Sequence, residues 1–193
     1  VWPGQITPIA AIPFISSTGG ADYLAGSGGT GSTGNGSDFT LLRLRSTPPN
    51  GVTYVGWNAA VPPTGTEVTD IHHPEGDYKR ISFGTLTSNA VAFPAYYLQV
   101  TWHNGTTEPG SSGSPLMLSA THEIVGQLWG GDASCGTPTA PDLFGRFSVS
   151  YPLMQSYIDP GPNEVGFSAA SFSALETEGF ATIAVNLLRP AGA

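Results

Sequence analysis

The sequence predicts an all-β protein, and three observations carry that prediction. Twenty-six glycines and 17 prolines punctuate 193 residues. Between them lie short runs rich in Val, Thr and aromatic residues, the types that suit a pleated, half-buried surface. The runs recur at short spacing between Gly/Pro turns, the pattern of a barrel or a sandwich.

The elements follow in order. Residues 1–20 mix apolar residues with Pro and Gly and carry little chemistry. Residues 26–36 are rich in Gly, Ser, Thr and Asn and read as a surface loop. That loop leads to Asp38, at the entrance of a buried strand containing Phe39 and Leu41. Residues 52–57 form a second expected strand, and residues 66–74 a third that stops at Pro74. Residues 79–83 and 96–102 continue the pattern, as do the apolar runs 116–118 and 124–131. Residues 151–157 are the one expected short helix. Asp159-Pro160-Gly161-Pro162-Asn163 is a linker by composition. Beyond it, residues 180–187 alternate apolar with small or polar side chains, as a half-buried strand does. Two strands do not make a domain. The expected organisation is therefore a domain over 1–160, a linker at 161–166 and the truncated start of a second β module over 167–193.

Composition excludes several classes of function. With 39% hydrophobic and 10% charged residues the chain is globular and not disordered. A formal net charge of −8 argues against a nucleic-acid surface. No apolar run approaches the roughly 20 residues that span a bilayer. Few lysines and abundant Gly, Ser and Thr point to a secreted protein. The single cysteine, Cys135, has no partner within the chain, which in a secreted β domain implies a missing partner or a reactive thiol.

The chemistry concentrates in Glu108-Pro109-Gly110-Ser111-Ser112-Gly113-Ser114-Pro115. Glycines around a serine let the backbone turn sharply and leave no Cβ to obstruct an incoming acyl group. They also free neighbouring N–H groups to meet an oxyanion. Two strand-like runs and the pair Gly130-Gly131 follow, a setting that favours a nucleophile over a plain Gly/Ser loop.

These residues resemble the lysyl-endopeptidase branch of the trypsin-like serine proteases. The likeness runs from about residue 20 to 160. It rests on Ser37-Asp38-Phe39-Thr40-Leu41-Leu42, on Ile71-His72-His73-Pro74 followed by Lys79-Arg80-Ile81-Ser82, on the serine loop, and on Val125-Gly126-Gln127-Leu128 with Ser134-Cys135. The resemblance implies a chymotrypsin-like double β-barrel, here the end of the first barrel plus the second. It implies that Ser112 is the nucleophile and Asp38 the triad acid. The N–H groups of Gly110 and Ser112 match the oxyanion hole, and Asp142 matches the acid at the base of the S1 pocket. Trp129, Gly130 and Phe93 match positions that line the substrate site. The partners implied are protein or peptide substrates with basic residues, cut by a secreted, monomeric enzyme that needs no cofactor. Cys135 matches a disulfide position.

Three departures qualify the match. No histidine precedes His72, so the catalytic base is expected upstream of Val1, and the 193 residues alone are expected to have little peptidase activity. Trp129 stands where this branch carries a histidine, which opens the pocket to Arg as well as Lys. Ser111 stands where trypsin has an aspartate that pairs with a new N-terminus, so that bridge cannot form, although this branch also has serine there. Residues 165–193 resemble the opening of a Calx-beta β-sandwich. Some such modules bind Ca²⁺, and Glu176 matches a ligand.

Asp38 alone would read as a cap in a Gly/Ser loop, and Asp142 as a solvated acid after Pro141. His72 and His73 suggest a metal pair, but neighbours on a strand point to opposite faces, which favours a structural role. Asp70, Glu75 and Asp77 fit no EF-hand spacing and read as a solvated acidic turn. His103 and His122 read as exposed. The alternative to an enzyme is a protease-like binding or adhesion module that has lost its histidine.

Overall fold

The computed structural model describes residues 18–27, 36–89, 97–159, 164–167 and 185–188. The first body runs from residue 1 to 153 and the second from 154 to 193. In the first, β1 (Ala21–Gly26) and β2 (Thr40–Leu44) form an antiparallel two-stranded sheet. Then come β3 (Glu67–His72), β4 (Arg80–Ser88), β5 (Tyr97–Asn104), β6 (Pro115–Leu118), β7 (Ile124–Gly131) and β8 (Asp142–Arg146). These six close into an antiparallel barrel with neighbour order β3-β4-β5-β8-β7-β6. Helix α1 (Phe147–Ile158) follows directly. The second body holds β9 (Glu164–Phe167) paired with β10 (Val185–Leu188). The chain is thus all-β with a closed barrel, as the turn and strand pattern predicts.

Strand alternation fills the barrel. Val68, Leu86, Leu98, Val100, Leu116 and Phe144 are fully buried and share one cluster with Trp102, Val125 and Leu128. Burying each such side chain stabilises by about 1.5–3 kcal/mol. Trp102 packs edge-on to Phe144, ring centres 6.1 Å apart. The 3-10 turn Pro74–Gly76 closes β3, because Pro74 removes a ladder donor and Glu75 and Gly76 take positive φ.

Several elements differ from expectation. Residues 52–57 form no strand; only Trp57 makes an isolated bridge, to Ile124. Their side chains are exposed, and a β-prone run without a partner ladder does not become a strand. Three strands went unforeseen: β1, hidden by its position among Gly-rich residues, β8, short and opened by Pro141-Asp142, and β9, which falls across residues expected to be linker. Helix α1 starts four residues before the expected helix and includes Pro152. Asp70 is not part of a solvated turn but wholly buried, since it shares the inward face of β3 with Val68 and His72. Of the proposed Calx-beta segment, Glu176 lies outside the described residues, as does Phe93.

Candidate active site

The residues of interest gather at one end of the barrel. The loop between β5 and β6, residues 105–114, carries Ser112 on its exposed side. Gly110 (φ +95°) and Gly113 (φ +83°) flank Ser112, a conformation L side chains rarely adopt. The N–H of Ser111 donates to the Glu108 carbonyl (3.0 Å), that of Gly113 to Leu128 (2.8 Å) and that of Ser114 to Ser111 (3.1 Å). Among the described residues, the N–H groups of Gly110 and Ser112 make no such bond. The loop is pinned to β7 in both directions, because Leu128 N–H also donates to the Ser114 carbonyl (2.9 Å).

Asp38 precedes β2, half-buried and with φ +55°. Its segment is held on the same strand. The Gln127 side-chain amide donates to the carbonyls of Ser37 (2.6 Å) and Asp38 (3.3 Å). Ser37 is fully buried and its hydroxyl meets that of Ser150 on α1. Gly145 lies beneath the Ser37 carbonyl, and a Cβ there would collide with it. The segments of Asp38 and Ser112 therefore meet at adjacent residues of β7.

Asp142 is buried, not solvated as its position after Pro141 would imply. Its Oδ2 accepts hydrogen bonds from the Trp102 indole N–H (2.7 Å) and the Thr107 hydroxyl (2.5 Å). These two donors hold the carboxylate's orientation in a dry setting, where hydrogen bonds to an ion are strong. Its other oxygen packs against Gly131, the cross-strand partner of Asp142. Trp129 is half-buried and packs on Tyr97 (5.5 Å between ring centres), beside Gly130. Cys135 is exposed, and its backbone N–H donates to Glu108 Oε1 (2.5 Å), tying the residue's loop to the base of the serine loop.

Beneath the serine loop the barrel interior is polar. Asp70 Oδ2 accepts the Ser114 hydroxyl (2.9 Å), while Oδ1 is buried with no hydrogen-bond partner. Burial first, then the nearby Asp142 charge, raises the Asp70 pKa to about 7, against the pull of the Ser114 bond. His72 is also buried, with Nδ1 2.8 Å from Ser111 Oγ and Nε2 3.0 Å from Ser82 Oγ. Burial, reinforced by the charges of His73 and Arg80, lowers its pKa to about 4, so the ring is neutral at pH 7. Its neighbour His73, past the end of β3 and just before the Pro74–Gly76 turn, is exposed. His103 and His122 are exposed, and His103 pairs with Glu67 (2.9 Å).

Sequence reasoning missed the supporting residues Gln127, Trp102, Thr107 and Asp70. A period-two reading of residues 68–72 would have placed Asp70 inside, on the face of Val68. Nothing in the sequence pairs Gln127 with Ser37 across 90 positions.

Comparisons with known proteins bear on family and fold. A lysyl endopeptidase from Pseudomonas aeruginosa is 38% identical over 130 residues, covering 64% of this chain. The chain spans 28% of that relative's length. Kallikrein-related peptidase 10 superposes with a TM-score of 0.53 at 17% identity, covering 65% of this chain and 66% of that one. The HtrA-type protease AlgW, solved with a decapeptide, gives 0.52 at 18% identity, covering 89% and 53%. At such identities these structures establish the fold alone. The model of the family described as lysyl endopeptidase, C-terminal domain, matches residues 12–145. That span is more than half of the sequence, and the chain belongs to the lysyl endopeptidase C-terminal domain family.

Proposed function

We propose that this chain is the catalytic part of a secreted serine endopeptidase that cleaves after a basic residue. The observation that carries the reading is the loop around Ser112. Ser112 is exposed between two positive-φ glycines, and among the described residues the N–H groups of positions 110–114 that make no backbone hydrogen bond are those of Gly110 and Ser112. That is the arrangement a nucleophile and its oxyanion donors require.

In this reading Ser112 Oγ attacks the scissile carbonyl. The tetrahedral oxyanion accepts hydrogen bonds from the Gly110 and Ser112 N–H groups. Asp38 orients the histidine that takes the Ser112 proton and returns it to the leaving amine. None of the four histidines suits that role. His72 is buried with both ring nitrogens bonded, and among the described residues no hydrogen bond joins His73, His103 or His122 to Asp38 or Ser112. The base is assigned to sequence outside these residues. Water then hydrolyses the acyl-enzyme.

Asp142 is the pocket acid. Its carboxylate is preoriented by Trp102 and Thr107, and a P1 ammonium or guanidinium compensates its burial. Trp129 and Gly130 form part of the pocket wall, and the P1 residue is Lys, with Arg as the alternative.

The test is labelling of the complete protease with a fluorophosphonate, followed by mapping of the modified residue. Modification at Ser112, abolished by Ser112→Ala, is expected. A folded protein that is not labelled there would favour a binding module and overturn the assignment.

A further inference from the structure

The end of β3 and the turn after it, residues 72–76, clamp the serine loop on both sides of Gly110. On one side His72 engages Ser111. The Ser82 hydroxyl donates to the Thr106 carbonyl (3.1 Å), so toward His72 it is an acceptor, and Nε2 carries the ring proton. Nδ1 is then a lone pair, and the Ser111 hydroxyl donates to it. Ser111 Oγ in turn accepts the Glu108 N–H (3.4 Å). The bonds run in one direction, from Glu108 through Ser111, His72 and Ser82 to Thr106, and they begin and end within residues 106–111.

On the other side the Glu75 N–H donates to the Pro109 carbonyl (2.7 Å). A trans peptide is planar, with its C=O and N–H pointing in opposite directions. Gripping the Pro109 carbonyl therefore turns the Gly110 N–H away from segment 72–76. The fit is close, since a Cβ on Gly110 would stand 3.2 Å from the His73 carbonyl. Glu75 itself holds φ +54°, a strained conformation for a non-glycine residue.

We propose that segment 72–76 sets the oxyanion hole, with His72 as the positioning residue that locks Ser111 and the Glu75 N–H as the group that orients the Gly110 peptide. The inference rests on the protease reading above. It also gives Ser111 a function: a neutral hydrogen bond from the barrel interior fixes the loop where a charge pair with a new N-terminus is not available. His72 touches no reacting atom and acts through the loop.

The test uses the complete protease and a pair of peptide ligands, an aldehyde and the corresponding alcohol. The aldehyde forms a hemiacetal whose oxygen occupies the oxyanion hole, and the alcohol does not. In His72→Leu and in Ser111→Ala the aldehyde should bind roughly 100-fold more weakly, the scale of one lost oxyanion donor. Binding of the alcohol should be unchanged, and kcat should fall with KM nearly constant. His72→Asn, which restores an acceptor near the Nδ1 position, should recover much of the loss. A folded Ser111→Ala protein with an unchanged aldehyde-to-alcohol ratio would overturn this proposal while leaving the protease reading intact. Failure of the unsubstituted protein to react with fluorophosphonate would overturn both.

Discussion

The side-chain amide of Gln127 donates to the Ser37 carbonyl at 2.6 Å, across 90 residues of sequence. The next residue, Leu128, holds the serine loop through two backbone bonds. A single strand of the barrel thereby spaces Asp38 against Ser112, and that spacing survives only if nothing intrudes beneath Ser37.

Gly145 is the residue that keeps the space clear. A Cβ at this position would overlap the Ser37 backbone carbonyl and crowd the Gln127 amide. Gly145→Ala is expected to cost about 1–3 kcal/mol, the usual scale of overpacking. It should also lower kcat at least tenfold by shifting the Asp38 segment. Gln127→Ala should reduce kcat with a smaller change in thermal midpoint. Calorimetry together with ester hydrolysis by the complete protease checks both.

Asp142→Asn keeps the shape of the proposed pocket acid and removes its charge. Activity on Lys and Arg substrates is expected to fall by at least 100-fold more than activity on neutral ones. Trp102→Phe should have a milder effect in the same direction, because it removes one of two donors to Oδ2, a loss worth about 1–3 kcal/mol in a buried setting. Equal losses on all three substrate types would count against Asp142 as the selective group.

Two buried groups should shape the pH dependence of stability in opposite directions. The folded-state pKa of His72 is lowered by burial and by the charges of His73 and Arg80, from 6.5 to about 4. Between these values the unfolded chain binds the extra proton, so this term loses stability as pH falls. The Asp70 value is raised by burial and by Asp142, from 3.8 to about 7, with the Ser114 bond opposing. Between those values the folded chain binds the extra proton, so this term loses stability as pH rises. The wild-type protein should therefore show a shallow profile from pH 4 to 6.5. Asp70→Asn should leave a profile that rises with pH in that window, and His72→Asn one that falls. Urea unfolding midpoints across the window decide it, and identical slopes in all three proteins would contradict the opposed terms.

Leu116 is fully buried on β6, opposite Asp70 on β3 and Gly126 on β7. Leu116→Ala is expected to destabilise by about 2–5 kcal/mol. Since it sits two residues past Ser114, the same variant should loosen the serine loop, visible as faster amide exchange at Gly113 and Ser114.

Much of this was legible in the sequence. The runs at 66–73, 79–83, 96–102, 116–118 and 124–131 announced five of the barrel's strands, because a β-prone run bounded by turn residues is a local signal. The serine loop was legible because its glycines answer a local backbone demand. Strand β8 was not, since five residues after a proline carry no strong periodicity. Residues 52–57 misled because their composition suits a strand while their position offers no ladder. The contacts of Trp102 and Thr107 with Asp142, and of His72 with Ser111, depend on which strands become neighbours around the barrel, and no short window of sequence encodes that.

The ring of six ladders has a consequence for how the protein behaves in concentrated solution. A sheet joined to itself offers no row of idle amides and carbonyls for another chain to copy. The sheets of β1 with β2 and of β9 with β10 are different, since among the described residues each of their strands is paired on one side only. Fibrillar self-association, if forced by heat or shear, should therefore start from these two-stranded sheets and leave the six-stranded body intact until it unfolds.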